Sequence, residues 1–83
     1  MEPFYYNHMD KERQAVYRAM QQGLLSLADS FQIPRIDGHA LGDIFFELRL
    51  DHPEIFWVSS FKYRYFADSP NLIFIPEYLF EKS

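Results

Sequence analysis

Apolar residues recur at helical spacing along the first third of the chain. Val16, Met20, Leu24, Leu27 and Phe31 stand at intervals of four, four, three and four, which draws one stripe down an α-helix. Asp10 is placed to cap this helix, because its carboxylate can accept the free amide protons of the first turn, and Asn7 competes for that role one turn earlier. Gly23 inside the stripe costs about 1 kcal/mol relative to alanine. Ahead of the helix, residues 1–9 form a short lead-in with three aromatics, Phe4-Tyr5-Tyr6. Behind it, residues 32–36 break the pattern, since Pro34 cannot continue a helix and biases Ile33 toward extended geometry. Asp37 then starts a second helix as its cap, with Ile36 and Leu41 at the two positions of a hydrophobic staple. Leu41, Ile44, Phe45 and Leu48 supply its apolar face, and Pro53 ends it near Asp51-His52.

The period then changes from helical to two. From Ser60 onward Phe61, Tyr63 and Tyr65 face one side while Ser60, Lys62 and Arg64 face the other, the signature of a half-buried strand. Ala67-Asp68-Ser69-Pro70-Asn71 has turn composition, and Leu72-Ile73-Phe74-Ile75 is a second strand antiparallel to the first. Pro76 is expected to end that strand or mark an edge. Glu77-Tyr78-Leu79-Phe80-Glu81-Lys82-Ser83 opens an amphipathic stretch that allows a short C-terminal helix. Helices followed by strands predict an α+β domain: two N-terminal helices packed on a small antiparallel sheet, a β-hairpin. Two strands alone are marginal in water, so the helices must cover the aromatic face. Trp57, Tyr63 and Tyr65 are expected to form the fold-defining aromatic cluster.

Length and composition sharpen this picture. Eighty-three residues make one small domain, and nine phenylalanines, six tyrosines and one tryptophan can supply a dense core at about 150–250 Å² buried each. The aromatics nevertheless exceed what such a core readily hides. Phe4, Tyr5, Tyr6, Phe46, Phe56, Phe66, Tyr78 and Phe80 are the surplus, and an exposed aromatic patch marks a contact surface. Of these, Tyr5, Tyr6, Phe46, Tyr78 and Phe80 are the expected contact residues. The net charge of −4 repels a phosphate backbone and disfavours nucleic-acid binding. On the Phe61–Phe66 strand the cations and the stacking aromatics lie on opposite faces, which also argues against single-stranded nucleic acid. No apolar run approaches the ~20 residues of a membrane span, so membrane insertion is not expected.

Candidate chemistry is thin. His39 and Asp43 lie four apart on the second helix, a spacing that can place two ligands on one metal, but a zinc site needs more ligands than that pair offers. The spacing equally suits a solvated ion pair. His8 and His52 stand at element boundaries as capping or surface groups. Ser26, His39 and Asp43 can be composed into a triad on paper without a nucleophile elbow or oxyanion loop. Glu47, Asp51 and Glu54 read as solubility residues on an exposed helix exit. With no cysteine in the chain, thiol chemistry and Cys-ligated zinc are excluded, and neither a cofactor nor a metal nor a catalytic residue is implied.

At Asp51-His52-Pro53-Glu54-Ile55-Phe56-Trp57-Val58 the sequence resembles the region upstream of the catalytic core in bacterial (Firmicutes) transglutaminase-like proteins. The tyrosine pair Tyr5-Tyr6, Tyr17 in the long helix, Tyr63-Arg64-Tyr65 in the strand and Pro76-Glu77-Tyr78 at the close extend the likeness over nearly the whole chain. That resemblance implies a secreted or cell-surface parent whose Cys-His-Asp core lies further along, with this chain as its noncatalytic N-terminal accessory module. Its partners would then be the remainder of the parent chain and a protein or cell-wall substrate. Two other readings stand beside it: a freestanding protein-interaction module with an exposed aromatic face, and a small ligand-binding domain with a pocket lined by Phe45, Trp57 and Tyr63.

Overall fold

The structure, a computed structural model, describes residues 4–79. A short helix α1 (Phe4–His8) leads into α2 (Lys11–Leu25), strand β1 (Phe31–Pro34) and helix α3 (Gly38–Asp51). A single 3-10 turn (Pro53–Ile55) then precedes strands β2 (Val58–Tyr65) and β3 (Asn71–Tyr78). The fold is α+β, with helices on one face of a three-stranded antiparallel sheet of order β1-β3-β2.

Both expected caps are in place: Asp10 Oδ1 accepts from the Arg13 amide at 2.8 Å, and Asp37 Oδ1 accepts from the Ala40 amide at 2.8 Å. Asn7 lies within α1 instead of capping α2. The stripe Val16, Met20, Leu24 is fully buried. It does not continue through Leu27 and Phe31, because α2 closes in a Schellman motif. The Ala28 amide donates to Gly23 O at 3.2 Å and the Leu27 amide to Leu24 O at 3.1 Å. Leu27 takes the left-handed conformation there (φ 57°) and is exposed. The stop carries no glycine at that position, so the spacing alone runs past it.

The chain that follows is a strand, where the sequence pattern reads only a break. β1 pairs antiparallel with β3 through Phe31↔Phe74 to Pro34↔Asn71, which turns the expected hairpin into a three-stranded sheet. β3 is longer than its apolar run and passes through Pro76 to Tyr78, displacing the start of the expected C-terminal helix; residues 80–83 lie outside the described part. A proline inside a central strand needs an explanation, and the register supplies it. Pairing with β1 ends at Phe74, so at Pro76 the β1 side of the strand is open and the missing N–H breaks no ladder bond there.

The core sits between α2, α3 and the sheet. Its centre is Phe74, fully buried on β3, with ring centroids 5.1 Å from Phe31, 4.9 Å from Phe61 and 6.4 Å from Phe45, while Phe45 meets Phe61 edge-on at 4.9 Å. This quartet, and not Trp57 with Tyr63 and Tyr65, is the aromatic centre of the fold. Tyr63 and Tyr65 extend it outward along β2 as a ladder at 6.2 and 5.4 Å, each more than a third exposed. Trp57 is half-buried at the margin of the core, and its ring meets Phe56 at 5.5 Å. Leu41, Ile44, Phe45 and Leu48 of α3 are buried as their spacing requires, and Ile36 joins them. Each aliphatic side chain so buried contributes about 1.5–3 kcal/mol.

Arg35 fastens the hairpin between β2 and β3. Its amide donates to Pro70 O at 3.0 Å, and its guanidinium donates to Phe66 O at 2.9 Å and Ser69 O at 3.2 Å. The same guanidinium lies over the Tyr65 ring at 4.6 Å, and the Tyr65 hydroxyl donates to Ile36 O.

Candidate functional site

α3 carries apolar residues on two sides. Leu41, Ile44, Phe45 and Leu48 face the core, while Phe46 and Leu50, four apart, face away from it and stand 61% and 59% exposed. The chain leaving α3 turns at Pro53, and the 3-10 turn sends Ile55 into the core and Phe56 outward at 66% exposed. Phe46, Leu50 and Phe56, with Arg49, Pro53 and Ile55, thereby line an open cleft of about 330 Å³. Among the described residues Arg49 is the one charged group in that lining, and its guanidinium lies 5.7 Å from the centroid of the Phe45 ring. Exposed Leu79 is tied to the next residue of the same segment, its amide donating to Trp57 O at 2.6 Å. Burying side chains of this size gives a partner an apolar contact with one cation to satisfy.

The expected contact residues part company here. Phe46 is on the surface. Tyr6 is not: it is 6% exposed, packs on Tyr17 at 5.3 Å, and its hydroxyl accepts from Arg18 Nε, so its ring is spent on closing the core. Tyr78 is half-buried and its hydroxyl donates to Ala28 O at 2.8 Å, which ties the end of β3 to the segment after α2. The side chain of Tyr5 and the whole of Phe80 lie outside the described residues. Leu50 is not among the expected contact residues, although its four-residue spacing from Phe46, off the core stripe, is a legible signal. Phe56 belonged to the aromatic surplus, but only the turn at Pro53 decides which way it faces.

A second cleft, of about 410 Å³, lies where the start of α2 meets α3 and is lined by His8, Met9, Asp10, Arg13, Asp43, Ile44 and Glu47. Its acidic groups have unlike surroundings. Asp10 caps α2, and Asp43 faces His39 at 3.8 Å as an exposed ion pair along α3. Burial, with Asp51 and Asp43 nearby, pushes the Glu47 carboxyl above its ordinary value, and Glu47 Oε2 is buried without a hydrogen-bond partner among the described residues. Asp51 is a structural anchor where the sequence suggested a solubility residue: its Oδ2 accepts from the Tyr17 hydroxyl at 2.7 Å. Burial first, then that hydrogen bond, raises the Tyr17 pKa. His52 closes α3 with its ring 3.0 Å from both Gln21 Nε2 and Glu54 Oε2. The Glu54 carboxyl is held below its ordinary value by a backbone hydrogen bond and by His52.

Among the described residues, no group of three or more His, Asp or Glu side chains is arranged to hold a metal ion. The paper triad is not assembled either: Ser26 Oγ donates to Gly23 O at 3.0 Å and His39 stands almost fully in solvent. The pocket expected between Phe45, Trp57 and Tyr63 is filled on the Phe45 side by Phe61 and Phe74, and Trp57 turns to Phe56. No helix among the described residues is long and apolar enough to cross a membrane. Compared with known protein families, with characterised proteins and with solved structures, the chain finds no match.

Proposed function

We propose that this chain is a noncatalytic protein-interaction module that docks through the Phe46–Leu50–Phe56 face. One observation carries the reading: three large apolar side chains, each more than half exposed, converge on one cleft on a chain whose other helix face is fully spent on the core. Scattered exposed hydrophobics are ordinary, but convergence on a concavity is the mark of a contact site. The occupant is a folded protein surface that presents an apolar knob to the cleft and an acidic group to Arg49. The resemblance around Asp51–Val58 makes a transglutaminase-like core in the same polypeptide the first candidate for that surface, with this chain as its accessory domain. A separate protein is the alternative occupant of the same face.

A photo-crosslinking phenylalanine analogue at position 46 tests this in source cells, with the same analogue at position 39 on the exposed polar side of α3 as control. The expected result is one dominant adduct from position 46 and none from 39. A crosslink within one polypeptide, from position 46 to a transglutaminase-like core, supports the accessory reading; an adduct to a separate protein supports the freestanding module. Equal labelling from both positions, or none from 46, sinks the docking face.

A further inference from the structure

The sheet has two edges that are not alike. β1 is four residues long and ends in Pro34, which has no N–H to offer. β2 is eight residues long, lies at the other edge, and among the described residues is paired only on its β3 side. The phase of its ladder follows from the prolines. Neither Pro34 nor Pro76 can exchange an N–H, so Pro34↔Asn71 and Phe61↔Pro76 are pairs of the non-hydrogen-bonded kind. Both assignments give β3 one alternation: Leu72 and Phe74 bond toward β1, Ile73 and Ile75 toward β2. Lys62 and Arg64 therefore spend their backbone groups on β3, while those of Phe61, Tyr63 and Tyr65 point outward. Among the described residues no other backbone hydrogen bond takes them.

We propose that this outer edge of β2 binds an extended, acidic segment of a partner protein as an added antiparallel strand, independently of the Phe46 face. Charge along β2 selects the occupant. Opposite Phe61, Tyr63 and Tyr65 the partner exchanges backbone hydrogen bonds, and its intervening side chains fall on the open sheet face directly across from Lys62 and Arg64. Those are the close, non-hydrogen-bonded positions, where an opposite charge helps most and a like charge hurts. Lys62 already leans on Glu77 at 3.6 Å, whereas Arg64 has no ion pair among the described residues. A second copy of the chain is the wrong occupant. Antiparallel self-pairing centred on residue 62, 63 or 64 sets Lys62 against Lys62, Lys62 against Arg64, or Arg64 against Arg64. The cations that keep an edge strand from its own kind thus leave it open to a strand with two carboxylates spaced two residues apart.

The probe is a blocked seven-residue peptide in which valine alternates with glutamate, titrated into the 83-residue chain and followed by amide NMR and hydrogen exchange. We expect exchange at Phe61, Tyr63 and Tyr65 to slow at least tenfold. N-methylating the valines should abolish binding, and N-methylating the glutamates should spare it, because only the valine amides meet β2. Replacing glutamate by lysine in the peptide should weaken binding at least tenfold, and the double variant Lys62→Glu with Arg64→Glu should reverse that preference. Should the double variant lose its dispersed spectrum, Arg64→Gln alone should weaken the glutamate peptide at least threefold. Absence of binding, protection elsewhere than these three amides, or equal binding of the glutamate and lysine peptides would overturn the proposal.

Discussion

Glu47 shows how much a single carboxylate can depend on what packs against it. It sits on α3 between Asp43 and Asp51, four residues from each, with one oxygen buried and unpartnered among the described residues. Like charges at that spacing each cost about 0.2–0.5 kcal/mol, and loss of water adds to them. The folded-state pKa is raised above the ordinary value near 4.5, so the folded chain holds this proton to higher pH than the unfolded chain does. Its penalty is therefore absent below about 4.5, grows as pH rises through the window up to the folded pKa, and is complete above it. Glu47→Gln should accordingly stabilise the domain at pH 7 by about 0.5 kcal/mol, with the advantage vanishing as pH falls through that window. Urea denaturation of both proteins at pH 7 and pH 4 measures it; a variant no more stable at pH 7 would show the carboxylate to be well solvated. The like-charge spacing is legible in the local sequence, but the burial of Glu47 and the anchoring of Asp51 are not. Glu47 and Asp51 look like ordinary exposed acids until α2, about thirty residues earlier, lays Tyr17 against Asp51.

Among the elements, the best-read features were those written in short-range chemistry. The caps at Asp10 and Asp37, the core stripe of α3 and the alternation of β2 all follow from contacts within a turn or two. β1 escaped because four residues with a proline carry no period, and their extended shape is fixed by pairing with residues about forty positions away. Gly23 shows the same division. Helix propensity says that alanine there gains about 1 kcal/mol. The structure says otherwise, since a Cβ on Gly23 would lie 2.5 Å from the Phe31 ring, which is itself braced on Phe74. Overpacking of that kind costs about 1–3 kcal/mol. Gly23→Ala should thus lower stability by about 1 kcal/mol net, the difference of those two effects. A higher thermal midpoint would mean the ring swings aside freely. In the candidate docking face, Phe46 was readable as surplus, Leu50 was there to be read from its spacing, and Phe56 was decided by a turn.

At the scale of the whole molecule, the fold class was visible in the order of periods, whereas the strand order was not, because nothing local says which of three strands lies in the middle. The middle strand is β3, the last of the three along the chain. β1 and β2 share no pairing, so each has nothing to bond to until residues 71–78 exist. During synthesis, then, α2, α3 and both outer strands leave the ribosome with the ladder closed to them, and the sheet forms in one step when β3 emerges. A chain halted at Pro70 should show helix by circular dichroism and no cooperative thermal transition, while the chain carried to Ser83 should fold with one; a cooperative transition in the shorter chain would mean that the helices hold the domain alone. Longer-range pairing of this kind slows folding and leaves unpaired strands waiting. Here the two waiting strands include Phe31, Phe61, Tyr63 and Tyr65, so the newborn chain is stickiest in the interval just before its central strand arrives.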